Sequence, residues 1–208
     1  MDLFFEQKKT LETKRLKYNF LSRFLFFSMD LFYGKKRTLI KFKILELLAR
    51  IPYQIWEQAT YHAITLKYKN TSTVNKLNKF LQKSRNQQDN EQWHLLIIQE
   101  LIDKLKIKEN FFIHWLIPLM AAVGYRIISW IIYLFNPRTS FMLNAYFEDH
   151  AEHEYMLFVQ ENPHFDHIMF ESIFKSYYGN YNTYGEVFRR IGIDEREHKE
   201  ESLKYLLD

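Results

Sequence analysis

Glu91-Gln-Trp-His94 and Glu195-Arg-Glu-His198 each set a carboxylate and an imidazole three residues apart. On a helix, positions i and i+3 share a face, so each pair can offer both groups to one cation. A lone glutamate precedes each pair: Glu46 stands 45 residues before Glu91, and Glu148 stands 47 before Glu195. The two halves of the chain thus repeat one pattern. Together they supply six ligands. Four carboxylates balance the charge of two ferrous ions and can bridge them, which is the di-iron carboxylate arrangement of a ferritin-like four-helix bundle. The absence of cysteine removes thiolate metal sites, iron–sulfur clusters, disulfides and thiol catalysis, so a metal must be held by Glu, Asp or His.

Chance is the competing explanation. With 17 Glu and 8 His in 208 residues, roughly 0.7 Glu-x-x-His matches arise at random, which is why a single match carries little weight. A third, Glu161-Asn-Pro-His164, holds Pro163 inside it. Proline breaks the helix that the geometry needs, so this one reads as a loop. The two remaining pairs differ from chance in alternating with lone glutamates inside apolar helical sequence.

The elements that must position these residues are helices. Gly 5 and Pro 4 leave few turn signals, and no strand alternation is present. The expected class is all-α. Residues 17–33 are apolar around most of a helix, with Asn19, Arg23 and Asp30 in a narrow polar stripe, the pattern of a helix lying in a membrane interface. Residues 38–69 read as a long helix with a kink at Pro52. A polar stretch from Asn70 to Asn90 leads into a helix over Glu91–Lys106, where Leu95, Ile98, Leu101, Ile102 and Leu105 recur at helical spacing. Residues 111–135 are long enough to span a bilayer, but His114, Pro118 and Arg126 favour interfacial or bundle packing over spanning. Helices follow over 139–161 and, after a tyrosine-rich connection (Tyr177, Tyr178, Tyr181), from Tyr184 to Leu207.

Charge divides the chain. Residues 1–43 hold eleven Lys or Arg against four acidic residues, whereas the whole chain carries only +4. A basic arm rich in Phe suits anionic lipid headgroups. Nucleic acid is the weaker alternative, because the basic residues alternate with apolar runs instead of forming a polar strip. No secretory signal is evident. The expected organisation is one domain over 1–208, with a membrane-associating arm at 1–37 and the helical bundle at 38–208.

The stretches ILELLARIPYQIWEQATYHAI, DNEQWHLLIIQEL, FEDHAEHEYMLFVQENP and RRIGIDEREHKEES resemble the alternative oxidase family, closest to its plastid terminal oxidase and cyanobacterial branch. The resemblance runs in one order from about Leu39 to the C-terminus. It implies that Glu46, Glu91, His94, Glu148, Glu195 and His198 ligate two irons, the same six that the spacing selects. It also implies that Asn90, Tyr155 and Asp194 hydrogen-bond near the metals, with Tyr155 matching the family's redox-active tyrosine. By the same resemblance the chain is a membrane-bound homodimer that oxidises plastoquinol, or ubiquinol, and reduces dioxygen to water without sensitivity to cyanide. Its place is then a thylakoid or cytoplasmic membrane, on the cytoplasmic or stromal face.

Three positions depart from the family pattern. Lys41 stands where the family carries Arg near its quinol site, which keeps the charge and loses the bidentate fork. Glu154 replaces Thr before the tyrosine, and Leu47 replaces Thr after the first glutamate. No regulatory cysteine is present. A short connection between Glu148 and Glu195 and the absence of a transit peptide point to a cyanobacterial or phage origin. His62, His114, His150, His153, His164 and His167 read as surface or packing residues, with His150 and His153 the nearest to Glu148 in sequence. Two other readings of the ligand pattern stay open: a di-iron hydroxylase acting on a quinone precursor, and a non-enzymatic iron-binding membrane bundle.

Overall fold

The computed structural model describes residues 1–207, which are mostly helical, and the only β pairing among them is one isolated bridge, Met169 to Thr183. Four long helices carry the glutamates: α3 (Leu39–Lys67), α4 (Thr71–Lys104), α6 (Pro137–Glu161) and α8 (Tyr184–Lys204). The rest are α1 (Leu3–Glu12), α2 (Phe20–Tyr33), α5 (Ile117–Phe135) and the single turn α7 (Lys175–Tyr178). Helices α3 and α4 run antiparallel, paired by Arg85 with Glu57 at 2.8 Å on the side of the connecting turn and His94 with Glu46 farther from it. Helices α6 and α8 do the same, through Asn144 with Ser202 and Phe158 with Phe188.

Two apolar clusters fill the bundle. One gathers Phe42, Ile98, Ile102, Phe158, Phe165 and Phe188; the other gathers Leu48, Ile55, Trp56, Phe141 and Phe147. Residues of both clusters flank the candidate ligands in sequence, such as Phe42 and Leu48 around Glu46 and Phe147 and Tyr155 around Glu148, so hydrocarbon surrounds their charges.

The chain departs from the sequence expectation in several places. Residues 70–90 are not a connecting stretch: α4 begins at Thr71, with Asn70 as N-cap accepting from the Thr73 N–H at 3.0 Å. Its buried positions there, Leu81, Ser84 and Gln87, keep helical spacing with mostly polar side chains, which hides the stripe. The basic arm contains a helix of its own, α1, whose buried residues are the polar Gln7 and Thr10. Helix α3 continues through Pro52 without interruption. In α2, Asn19 is the N-cap and Asp30 pairs with Lys41, so among the described residues only Arg23 of the polar stripe has no side-chain partner. Helix α8 ends at Lys204, just short of the expected Leu207. Glu161 closes α6 and His164 sits in the following 3₁₀ turn, so the third Glu-x-x-His is not one helical face.

Helix α5 follows a π-helical turn at Phe112–Leu116, with Pro118 in its first turn. The 24 residues Phe112–Phe135 are long and apolar enough to cross a membrane. In the fold α5 lies along α3 and α6, and Arg126 donates to Gln54 Oε1 at 2.8 Å and to Gln58 Oε1 at 3.0 Å. Helix α2 lies over α3 and α6 as well. Both leave large side chains exposed: Phe24, Phe27 and Leu31 on α2, and Ile127, Ile131 and Leu134 on α5.

Candidate metal centre

Glu46 comes from α3, Glu91 and His94 from α4, Glu148 from α6, and Glu195 and His198 from α8. Their ligand atoms gather into two groups: Glu46, Glu91, His94 and Glu195, and Glu91, Glu148, Glu195 and His198. Glu91 and Glu195 belong to both. The i,i+3 spacing does what it promised: His94 Nδ1 lies 3.7 Å from Glu91 Oε2, and His198 Nδ1 lies 3.7 Å from Glu195 Oε2. Across the bundle His94 Nδ1 is 3.2 Å from Glu195 Oε1, and His198 Nδ1 is 2.6 Å from Glu91 Oε1.

The donor set fits two divalent cations. Glu46 Oε2, both oxygens of Glu91, Glu148 Oε2, both oxygens of Glu195 and the Nδ1 atoms of His94 and His198 are buried and form no well-aligned hydrogen bond. Even the 2.6 Å His198–Glu91 approach lacks hydrogen-bond geometry. Eight orphaned atoms converging in one interior space cost far more than a native core tolerates, unless cations satisfy them. Without cations the charge has to be offset by protons. Burial, then Glu195 and Glu91, push Glu46 well above the carboxylate range, and burial with Glu91 and Glu195 does the same to Glu148. Against the effect of burial, Glu195 and Glu91 raise His198 to about 10. Carboxylates and imidazoles without sulfur suit iron, and two-cation bridging suits the shared glutamates.

Around the ligands sits a layer of hydrogen bonds. Tyr155 donates its hydroxyl to Glu46 Oε1 and stacks on Phe42 with centroids 4.2 Å apart. Asp194 Oδ2 lies 3.2 Å from His94 Nε2 and accepts from the Tyr178 hydroxyl at 2.6 Å, while Arg190 binds its other oxygen. Such partners fix the ring so that Nδ1 faces the cation. Asn90 stands in the wall of a polar cleft beside Asp194 and His198, and its Oδ1 has no protein partner. Lys41 is buried, paired with Asp30 and donating to the Gly34 carbonyl at 3.1 Å, which ties α3 to the end of α2.

Three further residues belong to this layer without having been singled out. Tyr53 donates to Glu148 Oε1 at 2.7 Å, and Tyr178 and Arg190 hold Asp194. Tyr178 fell within the tyrosine-rich connection; nothing in the local sequence marks Tyr53. His150 and His153 lie outside the centre. His150 stacks on Phe26 and faces Arg15 Nη1 at 3.2 Å, and the ring nitrogens of His153 face the backbone carbonyls of Asp149 and Thr13.

An apolar cavity of about 290 Å³ adjoins the α3–α6 side, lined by Leu25, Phe26, Leu48, Gly124, Tyr125 and Phe147 among others. Burial and then the nearby charge of Glu148 raise the phenol of Tyr125, one of the cavity's lining residues.

Residues 6–205, nearly the whole chain, match the alternative oxidase family. No curated protein matches the chain. The family is one of non-haem di-iron proteins associated with membranes, and the buried carboxylate–imidazole groups are what two irons require. This chain therefore belongs to the alternative oxidase family, whose members oxidise quinol with dioxygen at a di-iron centre.

Proposed function

We propose that this chain is a plastoquinol oxidase acting as one catalytic unit, with Glu46, Glu91, His94, Glu148, Glu195 and His198 as its six iron ligands and Glu91 and Glu195 shared between the ions. The observation that carries the reading is the convergence of the eight orphaned ligand atoms between two apolar clusters. Plastoquinol as substrate rests on the sequence resemblance to the plastid and cyanobacterial branch, as does assembly into a homodimer at a thylakoid or cytoplasmic membrane.

The exposed apolar faces of α2 and α5 support attachment to one leaflet. Helix α5 lies lengthwise on α3 and α6, and Arg126 is engaged by Gln54 and Gln58; crossing the bilayer would break this packing, which favours an interfacial position. The 290 Å³ cavity is walled by α2 and α5 as well as by the bundle, so it suits a quinol ring arriving from lipid.

Two quinols supply four electrons and four protons, which with one dioxygen give two quinones and two waters. When bound, the iron pair would accept electrons from quinol and deliver them to dioxygen. The protein's own task is to manage protons and exclude solvent. Tyr155 and Tyr53 hold hydroxyl protons against Glu46 and Glu148, and burial raises both phenols well above their ordinary range, so both stay protonated at rest. The apolar clusters keep bulk water from reactive oxygen species.

The test is dioxygen uptake by purified, iron-loaded protein in detergent with short-chain plastoquinol and cyanide. Uptake that persists, at one dioxygen per two quinols, supports the oxidase. Two bound irons without uptake would instead support a hydroxylase or a non-enzymatic iron-binding bundle, and faster turnover with ubiquinol would reassign the substrate.

A further inference from the structure

We propose that a polar cleft between α4 and α8 is the entrance through which ferrous iron reaches the centre from the aqueous side. The cleft encloses about 430 Å³ and is lined by Gln87, Asn90, Asp194, His198, Glu200 and Glu201 among others. It lies on the side of the bundle away from the apolar cavity, which is bounded by α2, α3, α5 and α6. The inference rests on the di-iron reading of the six ligands.

Accessibility picks out the inner end of the route. The side chains of Glu46, Glu91, His94 and Glu195 have no exposed surface, whereas that of His198 is 8% exposed, and His198 lines the cleft. Chemistry picks out the wall. Gln87 is 6% exposed, yet its Oε1 is buried with no hydrogen-bond partner, and Asn90 Oδ1 is in the same state. Two neutral carbonyl oxygens without partners, just outside the ligands, are the groups that can replace the waters of a hard divalent cation one at a time.

Charge picks out the mouth. Glu201 is held by Lys83 at 2.6 Å and Lys204 at 3.3 Å, and Glu197 by Arg190 at 3.1 Å. Glu200 lines the same mouth, is exposed, and has no ion pair among the described residues, so its charge is available to attract a cation. The apolar cavity offers a hydrated ion nothing in exchange for its water.

The experiment uses the full-length protein in detergent, stripped of iron. Ferrous iron is added under nitrogen, and unbound metal is trapped with a chromogenic chelator at timed intervals. Glu200→Lys and Gln87→Leu are compared with Gly124→Phe, which fills the apolar cavity where the glycine leaves open space. Glu200→Lys is expected to slow loading on the order of tenfold at low ionic strength and less at high salt, as steering by charge requires. Gln87→Leu is expected to slow it at every salt concentration. Both should reach the wild-type final stoichiometry, and Gly124→Phe should load at the wild-type rate.

Wild-type rates in both cleft variants would overturn the proposal, as would slowing confined to Gly124→Phe. A lower final stoichiometry in place of slower loading would overturn it too, since that is loss of holding and not of passage. Glu200 is a surface residue, so its variant keeps the test decisive even if Gln87→Leu folds poorly. A wild-type protein that never takes up two irons would count against the di-iron reading itself, separately from the route.

Discussion

Tyr53 donates its hydroxyl hydrogen to Glu148 Oε1 at 2.7 Å and accepts from Asn144 Nδ2 at 2.8 Å. Across the centre Tyr155 makes the equivalent bond to Glu46. Each glutamate that belongs to only one ligand group therefore carries a buried phenol. Removing either hydroxyl leaves a ligand carboxylate with one donor fewer and its orientation less fixed. Tyr53→Phe and Tyr155→Phe should each lower turnover about tenfold to a hundredfold, the usual effect of losing a partner to a metal ligand, with two irons retained. Metal analysis beside oxygen uptake checks this. Full turnover in Tyr53→Phe would reduce Tyr53 to packing against Trp56.

The shared glutamates make an asymmetric prediction. Glu91 contributes to both ligand groups, whereas Glu46 contributes to one. Glu91→Ala should abolish stable binding at both positions. Glu46→Ala should leave the group of Glu91, Glu148, Glu195 and His198 able to hold one ion. Both should lose oxygen uptake, so iron per chain is the quantity that separates them. Equal iron content in the two variants would contradict a bridging role for Glu91.

The juxtaposition of the candidate ligands was legible because helical periodicity converts i,i+3 spacing directly into adjacency, so Glu91 with His94 and Glu195 with His198 needed no tertiary information. Tyr53 was not legible: its partner lies 95 residues away, and it is one of fourteen tyrosines. Two helical segments escaped for a related reason. The first half of α4 buries Ser84 and Gln87, and α1 buries Gln7 and Thr10, so neither shows the apolar stripe that marks a helix. Polar residues take those positions in α1 because it docks on an ionic surface, through Arg189 to Gln7 at 2.7 Å and Thr10 to Glu152 at 2.6 Å.

Attachment to lipid can be tested without disturbing that docking. Phe24, Phe27 and Leu31 are 58%, 62% and 68% exposed on α2. Placing an apolar side chain of this size in a membrane contributes about 1.5 kcal/mol or more. Replacing all three with Ser should weaken binding to vesicles at least a hundredfold, while helix content and iron stoichiometry stay unchanged. Sedimentation with vesicles containing anionic lipid measures it. Undiminished binding would assign attachment to α5 alone.

The arm should also show a defined response to acid. Glu152 accepts from Thr10 on α1 at 2.6 Å, from Arg196 at 2.8 Å and from Lys199 at 2.5 Å. Burial opposes its charge, but Lys199 first, then Thr10 and Arg196, hold its carboxyl below the ordinary 4.5. A carboxylate whose pKa is depressed by folding contributes stability that is complete above the unfolded value and is lost as pH falls through the folded one. The Glu152 contribution to α1 docking should thus be complete well above the ordinary 4.5 and be lost as pH falls below it. Hydrogen exchange of the α1 amides reads this directly. Glu152→Gln removes the counter-charge that Arg196 and Lys199 share and leaves them only Glu6 and Asp149, so it should loosen α1 already at pH 7 and flatten the acid response. A variant that keeps the full acid response would move the linkage to another carboxylate, Glu6 on α1 first, since Arg196 binds it and holds its carboxyl below the ordinary value.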